Sequence, residues 1–434
     1  MSSLSNNLIS LIKSAGIRNF AKLLSANVVA QVIGLLVYPI LTRIYAPEDF
    51  GLLNLFLSIG GILTLISLAE YHYAIVLPKE KKDAVTVVQA GACLLIGCTL
   101  LVGISTLFAN SIAALFNSTR LAVYYWAMPI YVFILGIWNL LNYWYIREKC
   151  YNKISTYQLS QSMASAGSKL AFGFGGVLAG GMIYATLIGP IVSIIIVCIK
   201  GFKQHIQPLF RIHSIHDIHQ IAKQYKNFPL FATPRSLLNT IGGNLPVLVL
   251  TPHFGLAEIG FLGMAFTIAF RPINLVCSSI YQVLFQATSE RVAQGKKVLA
   301  FIRQYLLKIG GISILIFSIL YCILPWIITG VLGQEWSNTS QYIRVMLPWL
   351  LFVILNTSLS FLPDVFNRQA TYLGFELLYL GLRLGALIIG ISLHSIYHAI
   401  AFYSLAGAIV LGIELCWFIY MMYEHDKNTK EDSI

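Results

Sequence analysis

Seven basic residues lie inside or at the ends of long apolar segments of the sequence: Arg43, Lys169, Arg235, Arg271, Lys308, Arg344 and Arg383. At the centre of a lipid-facing helix each would cost about 2.5–3.5 kcal/mol, so it must snorkel, pair with an acid or face water. Four of them are near segment ends, where snorkelling suffices. Lys169, Arg271 and Arg383 are deeper, and they are the first candidates for contact with a ligand.

These cations recur within stripes of polar and small residues at helical spacing. The three main stripes are Gln158, Ser162, Ser165, Lys169, Gly173 and Gly176; Thr267, Arg271, Asn274, Ser278 and Gln282; and Tyr372, Glu376, Tyr379 and Arg383. Two others are Asn27, Gln31, Gly34, Tyr38 and Thr42, and Arg235, Asn239, Gly242 and Pro246. Small-residue helix packing explains the Gly and Ser positions. It does not explain Lys or Arg in mid-stripe, so the stripes predict a hydrated interior.

The acidic set inside the apolar segments is smaller: Glu70, Glu376 and Glu414, with Asp364 near a segment end. The interior therefore leans cationic and is expected to hold an anion. The substrate-binding candidates are Lys169, Arg271, Arg383, Arg235, Gln31 and Asn274. The ion-coupling candidates are Glu376, Glu70 and Glu414, because a coupled ion requires a carboxylate that changes state in the membrane. Glu376 and Arg383 share a helical face, either as exchanging partners or as a static structural pair.

Composition places these stripes in a membrane protein. Of 434 residues, 57% are hydrophobic and only 11% are charged, against about 25% charged in soluble domains. The net charge of +12 resides mostly in short loops, which favours membrane orientation over nucleic-acid binding. The seven scattered cysteines predict neither a disulfide framework nor a metal site. No ATP-binding motif occurs, and no catalytic residue or cofactor is predicted.

Twelve segments have the length and apolarity of membrane-crossing helices. Their predicted spans are 23–44, 50–77, 85–109, 122–146, 154–177, 181–200, 229–251, 256–288, 304–328, 342–365, 370–392 and 397–421. With the N-terminus inside, twenty-one Lys and Arg residues fall in cytoplasmic segments, and only Arg120 lies on the other side. This asymmetry predicts that both termini are cytoplasmic.

The sequence also predicts two related halves. Residues 41–60 match 250–269 without a gap, and the match aligns Asp49 with Glu258 and Gly51 with Gly260. The predicted lobes are 1–200 and 229–434, joined by a surface helix in the cytoplasmic linker 201–228. His213, His216 and His219 in this linker are interpreted as a polar helix face rather than a metal site.

Three stretches carry a family resemblance: PILTRIYAPEDFG at 39–51, EYHYAIVLPKEKKDA at 70–84 and NRQATYLGFELLYLGLRL at 367–384. The chain resembles the polysaccharide-transporter (Wzx-type) flippases of the multidrug/oligosaccharidyl-lipid/polysaccharide exporter superfamily. The resemblance implies an all-α integral membrane fold, with two six-helix bundles around a central cavity. The sequence departs from it after the second helix, where many relatives have Arg and this chain has Tyr71-His72.

The resemblance implies a flippase for an oligosaccharide on undecaprenyl pyrophosphate, an O-antigen or capsule repeat unit, in the bacterial inner membrane. Membrane lipids and a polysaccharide polymerase are the further expected partners. Three alternatives stay open: a drug or cation exporter of the same superfamily, an integral-membrane polysaccharide-assembly enzyme, and a scaffold for an assembly complex. An exporter would favour carboxylates in the N-terminal lobe, whose first and fifth predicted helices have none. An enzyme would favour a long external catalytic loop, which the sequence lacks.

Overall fold

The computed structural model describes residues 15–199, 202–210 and 214–429, and regular structure in these ranges is helical. The first helices are α1 (Ala15–Ile44), α2 (Pro47–Leu68), α3 (Tyr71–Ala74), α4 (Lys81–Ser105), α5 (Ala109–Leu115), α6 (Thr119–Tyr124), α7 (Met128–Arg147), α8 (Tyr151–Phe174) and α9 (Leu178–Ile199). The linker has a π-helical turn at Phe202–Ile206, a 3₁₀ turn at Gln207–Phe210 and helix α10 (Ile215–Gln224).

The second half of the chain begins with a π-helical turn at Phe228–Ala232. The helices that follow are α11 (Thr233–Ala293), α12 (Leu299–Val331), α13 (Ser337–Leu359), α14 (Leu362–Val365), α15 (Gln369–Ser392) and α16 (Ile396–Asn428). Helix α11 consists of two helices joined at Gly255, whose φ of 81° and ψ of 174° leave the helical region. Glycine adopts this conformation without the steric cost that a side chain would add.

Ten of the described segments are long and apolar enough to cross a membrane, which confirms the predicted all-α membrane class. The predicted seventh and eighth helices both lie in one such segment, Phe228–Ala293, which bends at Gly255. The predicted fifth helix is α8, whose 24 residues are long enough to cross but too polar to be counted among the ten. A total of twelve crossings therefore stays a prediction.

The second helix ends earlier than predicted. The sequence assigned 50–77 to one span, but α2 ends at Leu68, and Ala69 and Glu70 adopt left-handed conformations with φ of 41° and 61°. Such values are rare for residues with a side chain and terminate a helix. Glu70 therefore lies beyond the candidate span Pro47–Leu68. The predicted end of the second helix at residue 77 was wrong, because the apolar run after Glu70 belongs to α3 and the following turn.

The chain divides into two compact units, unit 1 (Met1–Gly260) and unit 2 (Phe261–Ile434). In unit 1, a core cluster surrounds Trp144, Tyr145 and Ile206, so part of the linker packs into that core. In unit 2, a core cluster surrounds Phe361, Phe418 and other buried apolar side chains. The unit boundary falls inside α11. The division into lobes 1–200 and 229–434 by sequence repeat stays a prediction.

The start of α2 is defined by several local contacts. Pro47 occupies the first turn, and the Asp49 carboxylate accepts a hydrogen bond from the Ala46 N–H at 3.1 Å. Arg120 lies 3.5 Å from the other oxygen of Asp49, which is buried. Proline and an acidic residue both suit a helix N-terminus, because they match its unpaired N–H groups and its dipole.

The two aligned glycines of the repeat meet at this helix start. A Cβ atom on Gly51 would overlap the carbonyl oxygen of Leu256, and a Cβ on Gly260 would overlap the carbonyl oxygen of Pro47. Because Pro47 aligns with Leu256 in the repeat, the two contacts are reciprocal. The backbone approach is thus closer than any residue with a side chain allows.

We expect Gly51→Ala and Gly260→Ala to destabilise unit 1, because the added methyl must displace a backbone carbonyl. Overpacking of this kind costs about 1–3 kcal/mol. Gly61→Ala on the same helix is the matched control, since nothing lies within 4 Å of its Cβ position. Thermal unfolding of the purified protein in lipid nanodiscs measures the effect. Equal melting temperatures for G51A, G260A and G61A would contradict the close crossing.

Candidate substrate and ion sites

Arg383 on α15 is only 6% exposed and lies among three aromatic rings. Its guanidinium carbon is 3.8 Å from the ring centre of Tyr403, 4.3 Å from Tyr379 and 4.8 Å from Trp349. The Trp349 indole donates a hydrogen bond to the Tyr379 hydroxyl at 3.0 Å, which fixes two of the rings. We call these four residues the aromatic box. Ring faces stabilise a desolvated cation by about 2 kcal/mol or more.

The aromatic box holds the cation without neutralising it. None of the ion pairs found among the described residues includes Arg383, and its Nε–H has no acceptor there. The predicted partner, Glu376, interacts electrostatically instead with Glu414, a buried carboxylate on α16. A partner exchange between Glu376 and Arg383 stays a prediction. In this structure the two carboxylates are close enough to influence each other, and the guanidinium lies against rings.

The stripe on α8 has two roles. The Ser162 hydroxyl donates to the carbonyl of Ala30 on α1 at 2.7 Å, and Gly173 lies beneath Tyr45. These contacts are helix packing of the small-residue kind. Lys169 is half-buried on the same helix, and its carbonyl accepts a hydrogen bond from the Tyr45 hydroxyl at 2.6 Å.

Gln31 lies on α1, which packs against α8. Its side-chain amide lies 3.3 Å from the Asn27 side-chain oxygen, so the polar stripe of α1 is linked along its own length. Gln31 and Lys169 both belong to unit 1, as does Arg235, which is exposed on the first turn of α11.

The second part of α11 has one buried and one polar face. Ile273, Cys277 and Leu284 are buried, and the Cys277 thiol lies 3.8 Å from the carbonyl oxygen of Ile354 on α13. The other face carries the half-buried Arg271 and the exposed Asn274. Both lie in unit 2 with Arg383, so the predicted binding residues divide into two sets of three.

Arg271 follows Phe270, whose ring packs against Trp349 of the aromatic box with ring centres 5.4 Å apart. One aromatic cluster therefore extends from α11 through α13 to α15. Arg271 and Arg383 lie on the first and the last of these three helices.

Glu70 and His72 form a buried pair at the end of α2. The residues are 3% and 8% exposed, and the Glu70 Oε2 atom lies 3.5 Å from the His72 Nε2 atom. Burial raises the pKa of Glu70, although a hydrogen bond from Ser236 opposes the rise. Burial lowers the pKa of His72 to about 4. Both shifts disfavour the charged forms, because desolvation penalises an unneutralised charge.

The described part of the linker is attached to unit 1 by main-chain acceptors. Trp144 donates to the carbonyl of His205 at 2.8 Å, Gln89 to that of Leu209 at 3.1 Å, and Tyr71 to that of Ala222 at 3.0 Å. The predicted surface helix is α10, and it packs against α4. Within the described ranges no group of three His, Cys, Asp or Glu side chains is placed to hold a metal. His213 lies outside those ranges.

Two members of the aromatic box, Trp349 and Tyr403, were missed by sequence reasoning. An isolated aromatic residue in an apolar helix has the same local pattern as an interface anchor or a packing residue. His72 was noted only as a departure from the family pattern. The one available signal was its position two residues after an acid in an otherwise apolar run.

Comparison with known proteins gives one family match. A family model described as polysaccharide biosynthesis protein matches residues 40–341. No curated protein sequence matches the chain significantly.

Solved structures match nearly the whole chain. An inward-facing multidrug resistance MATE family transporter of the MOP superfamily is 15% identical, with a TM-score of 0.69, over 92% of this chain and 96% of that one. The lipid II flippase MurJ, in an inward closed conformation, is 16% identical, with a TM-score of 0.70, over 93% and 89%. A MOP superfamily transporter from Pyrococcus furiosus is 15% identical, with a TM-score of 0.50, over 95% and 96%. The chain therefore has the fold of MOP superfamily transporters.

We expect Arg383→Lys to destabilise unit 2 by about 1–2 kcal/mol, because an ammonium keeps the charge but cannot stack its plane on the rings. Arg303→Lys is the matched control, since Arg303 is exposed on α12. Thermal unfolding of the full chain in lipid nanodiscs measures both. If R383K unfolds at the same temperature as R303K, the rings do not hold the guanidinium.

Proposed function

We propose a flippase function from one premise: the chain belongs to the family of polysaccharide biosynthesis proteins. Its fold is that of MOP superfamily transporters. The proposed substrate is an oligosaccharide carried on undecaprenyl pyrophosphate, such as an O-antigen or capsule repeat unit. The protein moves it across the bacterial inner membrane by alternating access. Membrane lipids and a polysaccharide polymerase are the further proposed partners.

The main support for an anionic substrate is Arg383, the unneutralised cation of the aromatic box. Arg383 lies within a candidate membrane span and has no carboxylate partner among the described residues. A positive charge in surroundings of low dielectric attracts an anion strongly. Arg271 follows Phe270, a residue of the same aromatic cluster. We propose that these arginines, with Lys169 of unit 1, contact the pyrophosphate, and that Arg235, Gln31 and Asn274 contact polar groups of the substrate.

The proposed topology has twelve crossings with both termini in the cytoplasm, as the loop charges predict. The arrangement in unit 1 supports the charge rule. Arg120, the one basic residue on the predicted outer side, pairs with Asp49 and does not remain uncompensated. Lys79, Lys81 and Lys82 lie at the opposite end of α2 and α4.

A drug or cation exporter is the second candidate, and the carboxylate pair of Glu376 and Glu414 favours it. Two carboxylates that lie near each other offer a site for a cation or a shared proton. Helices α1 and α8 contain no Asp or Glu, so the same site is not repeated there. In the flippase proposal Glu376 and Glu414 serve as ion-coupling residues instead. Family and fold are those of transporters, so no enzymatic role is proposed.

We expect Lys169→Ala and Arg271→Ala to slow the transfer of a lipid-linked oligosaccharide in reconstituted vesicles. The loss of a charge-assisted phosphate contact lowers binding by about 10- to 100-fold. Lys296→Ala and Arg303→Ala are matched controls, because both residues are exposed in the predicted cytoplasmic region. Full activity in both K169A and R271A would contradict the proposed anion site. Efflux of a cationic dye without oligosaccharide transfer would favour the exporter function instead.

We expect a cysteine at position 82 to react with a membrane-impermeant thiol reagent only from the cytoplasm, and a cysteine at position 338 only from outside. Lys82 precedes the predicted third span, and Asn338 follows the predicted ninth. The two variants are made in a background without the seven native cysteines and labelled in whole cells and in inverted vesicles. Labelling of both positions from one side would contradict the proposed topology.

A further inference from the structure

The turn after α2 points two ionisable side chains into the protein. Ala69 and Glu70 both have positive φ values, a conformation that costs about 1–3 kcal/mol for a residue with a side chain and persists only when its surroundings hold it. The Glu70 carbonyl accepts a hydrogen bond from the Tyr73 N–H at 3.1 Å. As a result, the side chains of Glu70 and His72 are both buried where the chain leaves the membrane span.

The polar atoms of this pair have few partners besides each other. The Glu70 Oε2 and His72 Nδ1 atoms are buried, and among the described residues they have no hydrogen-bond partner. The His72 ring lies 4.4 Å from the Tyr73 ring and 5.0 Å from the Tyr143 ring, which exclude water from one side. A carboxylate in such a place is costly unless a proton or a cation neutralises it.

Within the part of the chain that the structure describes, no ion pair supplies that cation. Tyr73 on α3 and Tyr143 on α7 are ionisable groups that lie close to the pair. None of the ion pairs within the described ranges joins Glu70 to Lys or Arg. The π-helical turn Phe228–Ala232, which α3 contacts, has no ionisable side chain.

The nearby basic residues have other partners or point elsewhere. Arg147 donates to the carbonyls of Ile75, Lys79 and Glu80. Lys81 pairs with Glu148 at 3.0 Å, and Arg235 is exposed on α11. A proton is therefore the neutralising ligand that this site can take.

Helix α3, which carries His72, packs against the turn Phe228–Ala232 that leads into α11, and the side chain of Ser236 near the start of α11 interacts with the Glu70 carboxyl group. A carboxylate accepts a hydrogen bond from a serine hydroxyl more strongly than a protonated carboxyl group does. Coupling between two binding events is reciprocal. An intact Glu70–Ser236 bond therefore favours loss of the proton, and uptake of the proton weakens the bond.

We propose that Glu70 and His72 form a proton-binding site, and that its proton controls the contact between the end of α2 and the start of α11. In the protonated state, the Glu70 hydroxyl donates to Nε2 of His72, which carries its own hydrogen on Nδ1. When the Glu70 proton leaves to water, His72 moves its hydrogen to Nε2 and donates to the carboxylate. Ser236 then binds the carboxylate more tightly.

This assignment gives the transporter a proton-dependent contact on its proposed cytoplasmic side. The consequence for transport rests on the proposed function, whereas the proton site itself does not. Uptake of a proton would weaken the contact between the end of α2 and the start of α11, and release of the proton would strengthen it.

Infrared spectroscopy and ¹⁵N-histidine NMR of the full chain in lipid nanodiscs test the proton site directly. The difference between wild type and Glu70→Gln identifies the Glu70 carboxyl band, and the difference from His72→Gln identifies the His72 signals. We expect the Glu70 band to titrate above the ordinary value of 4.5. The His72 tautomer should change at the same pH, and this change should be absent in E70Q.

Ser236→Ala tests the connection to α11. Removal of the donor should raise the apparent pKa of Glu70 by about one unit, since the bond stabilises the charged form. Ser279→Ala is the matched control, because the Ser279 hydroxyl donates within α11, to the carbonyl of Leu275. Any of three results would overturn the proposal. Glu70 could stay ionised from pH 5 to 8, the His72 tautomer could stay unchanged while Glu70 titrates, or the pKa of Glu70 could be the same in S236A as in wild type.

Transport measurements separate this inference from the proposed function. In vesicles, the oligosaccharide transfer rate of wild type should change with internal pH across the Glu70 titration, and that of E70Q should not. An unchanged pH profile in E70Q would overturn the regulatory role. If wild type moves no lipid-linked oligosaccharide at any pH, the flippase proposal fails, while the spectroscopic result for the proton site still stands.

Discussion

A charged group inside a bilayer must be stabilised by the protein, because lipid supplies neither water nor counterions. The chain meets this constraint in three ways. Asp49 is neutralised by Arg120 and capped by a backbone N–H. Arg383 is surrounded by ring faces. Glu70, which lies just beyond its span, interacts among the described residues with a histidine and a serine. Only the first arrangement removes the charge, so the other two sites remain available to an anion and a proton.

Hydropathy and charge predicted much of the fold, because both act over whole helices. The predicted end of α2 was wrong. The left-handed turn at Ala69 and Glu70 depends on backbone conformation, which a hydropathy pattern does not reveal. The hydrated interior predicted from the α8 stripe stays a prediction. Which members of the stripe pack, as Ser162 does against α1, depends on the neighbouring helix and could not be deduced from spacing within α8.

The candidate sites show the same limit more sharply. Spacing along α15 placed Glu376 and Arg383 on one face, and this suggested that they interact. In the structure their interactions differ: Arg383 contacts rings of α13 and α16, and Glu376 interacts electrostatically with Glu414 of α16. A pattern within one helix predicts which face is polar. Partners are decided by side chains of other helices, whose registers a single sequence does not reveal.

The two ends of α2 differ in a way that bears on transport. Its start is fixed by Pro47, the Asp49 cap and a backbone crossing that tolerates no Cβ on Gly51. Its other end is a strained turn of two residues with side chains, each costing about 1–3 kcal/mol. A proton on Glu70 acts at this strained end, whereas no ionisable side chain takes part in the glycine crossing at the start of the helix. Movement driven by a proton should begin at the Glu70 end and leave the Gly51 end in place.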